Sequence, residues 1–525
     1  MKFKNRKEEA MAKFAAREAE RANEAAWKHQ LQIMKEMKTP CLHPDHSLPT
    51  TRRDLVGAGL MSGLAYAVVP GILTSISQKA YSVTAEQCKG GAAGDMDAAN
   101  APAGYLHIEL SGGASLAGNF VYGKQSAGAD IEYLNDYSTL GFGNDIKPGT
   151  VQTNDTFGGP FHPESRILQG MMAVMSPEAV AKTVAGGIAG TSGDDTRNNP
   201  LNPIQLAVKT RSNGALTTMS VQADGRNSGG RTAPLDIGDD PSIPKAVVAD
   251  EAALANLVDP GLIAERLSVD AAVKIAEAAG KLSESKLARF NAKDLPAQVQ
   301  ELVACGYLGS KDLLTEFTAD RLAPSQDALI TGTPYGDSTM AMINASENQS
   351  RSIIMSKLLT DGLSAGATIE MGGYDYHGRG RPAQNDRDEE VGRTIGLALE
   401  TAHRKGTSLF VAVTSDGSTA AQQGGAGHVA HRADSGARGS ALLIGIGATE
   451  KPQQINKQVG KFNDQGAVDT SYLVTSNSPN LQALAIAYNY AAFNGTIGEF
   501  EKQLAASGNT NPFNESEYLV FAPKK

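Results

Sequence analysis

Ala367-Thr-Ile-Glu-Met371, then Gly372-Gly373-Tyr374-Asp375-Tyr376-His377, a helical segment over 388–405, and the apolar run Leu409-Phe-Val-Ala-Val-Thr414 form the stretch on which the fold turns. Two short apolar runs separated by a loop and a helix make a crossover unit, and such units build parallel sheets. Working outward, the pattern predicts a buried strand at 105–110 (Tyr-Leu-His-Ile-Glu-Leu) and a helix over 164–185. It also predicts a strand near 215–222, a helix over 347–364, a strand at 441–446 and a long helix over 479–493. The expectation is an α/β domain over 104–500 with a mostly parallel central sheet, whose ligands bind at the carboxyl ends of the strands. Between 244 and 322 the pattern turns helical, in runs such as Ala252-Ala-Leu-Ala-Asn-Leu-Val258, and reads as a helical insertion.

The chain has 525 residues, 48 Lys and Arg against 57 Asp and Glu, and a net charge of −9. That total conceals a division. Residues 1–85 carry 13 basic and 8 acidic side chains, which leaves 35 against 49, a balance of −14, for the remainder. An acidic body lacks the basic face that neutralises phosphates, which argues against a nucleic-acid partner. With 41% hydrophobic and 20% charged residues, the chain is neither a solvated disordered polymer nor a polytopic membrane protein. Cys41, Cys88 and Cys305 lie far apart and indicate no disulfide framework.

The leader has its own logic. Residues 1–38 contain no Gly or Pro and are rich in Ala, Glu, Lys and Arg, so 1–50 reads as a charged cytoplasmic helix and linker. Cys41, His43, Asp45 and His46 offer metal-binding side chains in that linker, without a second cluster to close a structural site. Thr51-Arg52-Arg53-Asp54-Leu55 then opens 22 uncharged residues, 55–76, about enough to cross a bilayer core. The segment 51–85 resembles a bacterial twin-arginine export signal, although Asp54-Leu55 stands where Phe-Leu is common. Read as a signal or an uncleaved inner-membrane anchor, it keeps the basic N-terminus in the cytoplasm and places the body in the periplasm or cell envelope. The export machinery and the inner membrane are then partners.

Three of the nine histidines follow predicted strands. His377 lies with Asp375 after strand 367–371; Ser415-Asp416 closes the strand ending at Thr414; and His428 and His431 lie in the loop that leaves it. On a parallel sheet these carboxylates and imidazoles converge on one edge. Asp with His suits zinc, and a carboxylate-rich site also admits calcium, magnesium or manganese. Arg379, Arg381 and Arg432 are near enough in sequence to hold an anionic substrate.

Taken together, the twin-arginine leader, Leu110-Ser-Gly-Gly-Ala-Ser115, the Gly372–His377 block with Gly378-Arg379-Gly380, Leu409 to Ser418 and Gly424 to His431 resemble a bacterial exported family of unknown function related to sulfatases and alkaline phosphatases. The resemblance covers 50–60 and 104–495. It implies an alkaline-phosphatase-like α/β sandwich and metal ligands at Asp375, His377, Asp416 and His428, with His431 as neighbour. It also implies a divalent metal, zinc or calcium, a nucleophile at Ser115 or Ser111 and an anion-binding Arg379. The chain departs from that pattern in having no Asp between Ser111 and Phe120. Two functions follow: a metal-dependent hydrolase of phosphate or sulfate esters in the envelope, or a non-catalytic membrane-anchored protein that binds a protein or polysaccharide partner.

Overall fold

Gly104–Leu110 (β1) is buried at every residue because it lies inside a sheet covered on both faces. In the computed structural model the described residues are 101–124, 131–192, 201–211, 218–220, 245–254, 322–332, 346–377, 381–415, 417–473, 478–513 and 516–524, all within the unit Val68–Lys525. The leader, with the paired arginines and 55–76, lies outside the described residues, as do 255–321 of the expected insertion. Among the described residues no helix is long and apolar enough to cross a membrane.

After β1 come Arg166–Val174 (α1), Pro177–Ala181 (α2), Thr183–Ala189 (β2), Ile204–Lys209 (α3), Thr218–Ser220 (β3) and Lys245–Val247 (β4). Ala328–Thr331 (α4), Glu347–Thr360 (α5), Gly366–Met371 (β5), Arg381–Arg404 (α6) and Leu409–Ser415 (β6) follow. The chain then forms Thr419–Ala421 (β7), His431–Asp434 (β8), Ser440–Ile446 (β9), Gln458–Val459 (β10), Pro479–Asn494 (α7) and Ile497–Ala506 (α8). Among the described residues eight strands make one sheet in the order β10-β2-β9-β6-β1-β5-β3-β4. β1 pairs in parallel with both β5 and β6, and only β9 runs against its neighbours, β6 and β2. The sheet is thus α/β and mostly parallel, as expected, with one reversed strand that the sequence did not disclose.

Alternation along β1 divides the core. Leu106, Ile108 and Leu110 join Met171, Ile354, Leu358, Val391 and Ile395 of α1, α5 and α6 on one face. Tyr105 joins Ile204, Leu484 and Tyr490 of α3 and α7 on the other. Phe513, Leu519, Val520 and Phe521 pack into this second layer, so the domain runs beyond the expected boundary at 500.

The helix expected over 164–185 is instead α1, α2 and the start of β2. Ser176 breaks it: its hydroxyl accepts from Ala179 N to cap α2, with Pro177 in the first turn, and donates to Glu400 Oε2. The strand Thr183–Ala189 hides behind its two glycines, which weaken a strand pattern. Their absent side chains admit Val520, 2.5 Å from a Cβ built on Gly186, and the Tyr122 hydroxyl, 2.4 Å from one on Gly187. β4 likewise claims the sheet edge from inside the span read as helical insertion.

α1 and α6 cross at glycines. A Cβ on Gly392 would lie 2.1 Å from Ile167 O and 2.9 Å from Gly170 Cα, and one on Gly396 would lie 2.5 Å from Val174 Cγ2. Alanine is ordinarily favoured over glycine in a helix by about 1 kcal/mol. Here backbone blocks the methyl, so overpacking of about 1–3 kcal/mol dominates. Gly392→Ala is expected to lower stability, read as a reduced melting temperature; an increase would show that the helices part without cost.

Candidate functional site

The loops after β1 and β5 continue the parallel pairing past the sheet edge. Ser111 N donates to Met371 O at 2.9 Å, Tyr374 N to Ser111 O at 3.0 Å, and Tyr376 N to Gly113 O at 3.3 Å. β6 joins through its last residue: Ser415 Oγ accepts from Ala114 N at 2.9 Å and donates to Gly112 O at 2.8 Å. The two glycines permit this closeness. Gly112 has φ +105°, and a Cβ there would lie 2.4 Å from Asp375 N. A Cβ on Gly113 would lie 2.8 Å from Ser418 O and 3.2 Å from Asp434 Oδ1. Glycine is therefore required where three loops meet.

Extended backbone along 374–377 sends alternate side chains to opposite sides. Tyr374 and Tyr376 are buried, whereas Asp375 and His377 are about half exposed. Asp375, His377 and Asp434 come together, with ligand atoms all within 4.8 Å of one another. His377 Nδ1 lies 2.9 Å from Asp434 Oδ1 and in contact with Asp375 Oδ1. Asp375 Oδ1 is itself buried and makes no hydrogen bond among the described residues, although His377 lies against it. Two carboxylates and one imidazole whose ligand atoms lie within 4.8 Å of one another fit a divalent cation, and three protein ligands leave a position open.

Asp375 and His377 are thus brought together as the sequence suggested, and Asp434 joins them unannounced. It lies on β8, in a hairpin with β7 that sequence reading took as a glycine-rich loop. His428 and His431 are not part of this group. His428 Nε2 instead meets Glu164 Oε2, and burial, then the Arg381 charge, lowers the pKa of its imidazole. His431 is 1% exposed, and burial followed by Arg381 pushes it down to about 3. Asp416 and Arg379 lie outside the described residues.

Of the two serines, Ser111 donates from Oγ to Glu370 Oε1 at 2.9 Å at the strand mouth. Ser115 is buried at the start of the short turn Leu116–Gly118, where its carbonyl accepts from Gly118 N and Asn119 Nδ2. That is a position that organises the turn. Beneath it, Asn119 Nδ2 also donates to Asp388 Oδ2 at 2.9 Å, and Tyr376 donates its hydroxyl to Asp388 Oδ1, tying loop 372–377 to α6. Burial raises the pKa of the Asp388 carboxyl, opposed by Arg381 and these two donors.

No family model matches the chain, and no curated protein or solved structure matches it.

The strand that carries the Ser111–Gly113 turn holds a pH-sensitive group. His107 is fully buried, bonded to Thr414 Oγ1 at 2.9 Å and to the Tyr105 hydroxyl at 3.0 Å, and burial pushes it down to about 3 from 6.5. The unfolded chain takes up a proton near pH 6.5 that the folded chain refuses. Stability is therefore full above that pH and falls as pH drops towards about 3, by at most about 1.4 kcal/mol per pH unit. Denaturant unfolding at pH 7 and pH 5 is expected to show a smaller loss in His107→Gln than in the unaltered chain; equal losses would place the sensitivity elsewhere.

Proposed function

We propose that the chain is a divalent-metal-dependent hydrolase of phosphate or sulfate esters, of alkaline-phosphatase or sulfatase type, exported to the bacterial envelope. The observation that carries this reading is the meeting of Asp375, His377 and Asp434 at the carboxyl edge of a mostly parallel sheet. A zinc ion held by these residues would neutralise charge on the transferring phosphoryl or sulfuryl group; calcium is the alternative for a carboxylate-rich set.

Ser111 is the hydroxyl favoured as nucleophile. Its backbone is bonded to the segment bearing Asp375, and its Oγ already donates to the Glu370 carboxylate, which is suited to take the proton as the oxygen attacks. Ser115, buried at 3% exposure, is the weaker choice. The positive φ of Gly112 fixes where Ser111 stands relative to the cluster. Support for export comes from Arg52-Arg53 before the uncharged 55–76 and from the contrast between a basic leader and an acidic body. The export machinery, and the inner membrane if the signal stays uncut, are partners on this reading.

Metal analysis of the full chain after exposure to zinc, manganese or calcium is expected to find about one ion per chain. Asp375→Ala, His377→Ala and Asp434→Ala should each weaken binding by at least the order of 10–100-fold that loss of a mere supporting residue costs a metal site. Hydrolysis of para-nitrophenyl phosphate or sulfate should fall with the metal and with Ser111→Ala. Metal-free protein, unaltered by all three ligand substitutions, would remove the reading.

A further inference from the structure

Thr419 opens β7 and is 1% exposed, yet its hydroxyl makes no hydrogen bond among the described residues. Other buried threonines do. Thr414 Oγ1 bonds to His107 Nε2 at 2.9 Å, and Thr368 Oγ1 accepts from Asn202 Nδ2 at 2.9 Å. Thr394 and Thr401 on α6 donate to the carbonyls of Glu390 and Leu397, at 2.8 and 2.7 Å. Buried polar groups in folded proteins are almost always partnered, so the Thr419 oxygen demands a reason. Packing alone supplies none: valine has the same shape and would fill the same space without a polar atom.

What lies beside it is the carboxylate and imidazole group. Thr419 stands directly opposite Asp434 in the β7–β8 hairpin, before the register shift between Ala420 and Ala421. Residues directly opposite in an antiparallel pair put their side chains on one face, with Cβ atoms about 4.5–5.5 Å apart. From that face the Asp434 carboxylate reaches to 2.9 Å from His377 Nδ1. Gly113 marks the same approach from the loop after β1. A Cβ there would lie 3.2 Å from Asp434 Oδ1 and 3.2 Å from the carbonyl carbon of Ser418, the atom bonded to Thr419 N. Burial then separates two sides of the group: Asp375, His377 and Asp434 are about half exposed, whereas Thr419 lies on the side of the protein interior.

We propose that the Thr419 hydroxyl oxygen is a fourth protein donor to the divalent cation held by Asp375, His377 and Asp434, and that it turns the preference of the site from zinc towards calcium or manganese. The inference rests on the metal-dependent reading and deepens it. With Thr419 the protein supplies three oxygens and one nitrogen. Neutral and carboxylate oxygens suit hard cations, and threonine hydroxyls serve as ligands to such ions, whereas zinc favours nitrogen and sulfur. Coordination uses a lone pair of the hydroxyl and requires no deprotonation, so the proton stays available to an oxygen of water or substrate beside the ion. The buried hydroxyl closes the inner side of the site, and the half-exposed ligands leave the solvent side open for exchange.

The test is calorimetric titration of the full chain, stripped of metal by a chelator that is then removed, with calcium, manganese and zinc in turn. The unaltered chain is expected to bind calcium and manganese saturably. Thr419→Val should weaken both on the order of tenfold or more and zinc by less. Thr419→Ser, which keeps the hydroxyl, should retain most of the affinity. Melting without metal checks that each variant is folded; Thr419→Val is expected to melt no lower than the unaltered chain, since a methyl replaces an unpartnered oxygen. Thr419→Ala serves where Thr419→Val is not folded. Equal calcium and manganese affinities in the folded variant, a loss as large for zinc, or a Thr419→Ser chain as weak as Thr419→Val would overturn the proposal and leave Asp375, His377 and Asp434 standing as the site. An unaltered chain that binds none of the three ions removes the metal reading itself, and this proposal with it.

Discussion

The continuation of backbone pairing beyond the edge of the sheet is the constraint on which the remaining arrangement depends. Within the sheet, Leu110 stands level with Met371 on one side and Ser415 on the other, so three strands end together. Most loops diverge at that point. Here the bonds from Tyr374 N to Ser111 O and from Tyr376 N to Gly113 O keep two of them parallel for several more residues. The Ser415 hydroxyl, bridging Ala114 N and Gly112 O, fastens the third. A side chain at Gly112 or Gly113 would meet backbone at under 3 Å, so the closeness rests on two hydrogen atoms where other residues carry carbon.

That continuation has an electrostatic consequence. Extended backbone alternates its side chains, so one strand-like segment presents acidic and imidazole groups to one side and two tyrosines to the other. The first side gathers negative charge with Asp434. The second is closed by Asp388, which both loop and turn bind. Asp388 joins the two sides mechanically, since its two oxygens bind Tyr376 of the loop and Asn119 of the turn.

Much of the fold was legible in the apolar runs. β1, β5, β6 and β9 and helices α5 and α7 fall within a residue or a few of their expected positions, because fully buried strands read as short continuous apolar segments. β2 was not legible: Thr183-Val-Ala-Gly-Gly-Ile-Ala189 is strand only because Tyr122 and Val520 occupy the space above its glycines. The direction of β9 was equally hidden, since an antiparallel and a parallel buried strand have the same composition. At the site, Asp375 and His377 were marked by their place directly after a strand. Asp434 was not, because its approach depends on a hairpin whose strands of three and four residues carry no periodic signal.

By itself the sequence determined the α/β class, the crossover from β5 to β6, the division between a basic leader and an acidic body, and the pairing of Asp375 with His377 two residues apart. These follow from local spacing and composition, which a chain carries in any conformation. Only the tertiary structure decided that Asp434 completes the carboxylate group, that His428 turns to Glu164, and that His431 is buried beside Gly141 with neither nitrogen bonded among the described residues. Each of those outcomes rests on contacts between segments tens to hundreds of residues apart. Their geometry is set by packing and by the two glycines that let backbones meet, and no local pattern encodes it.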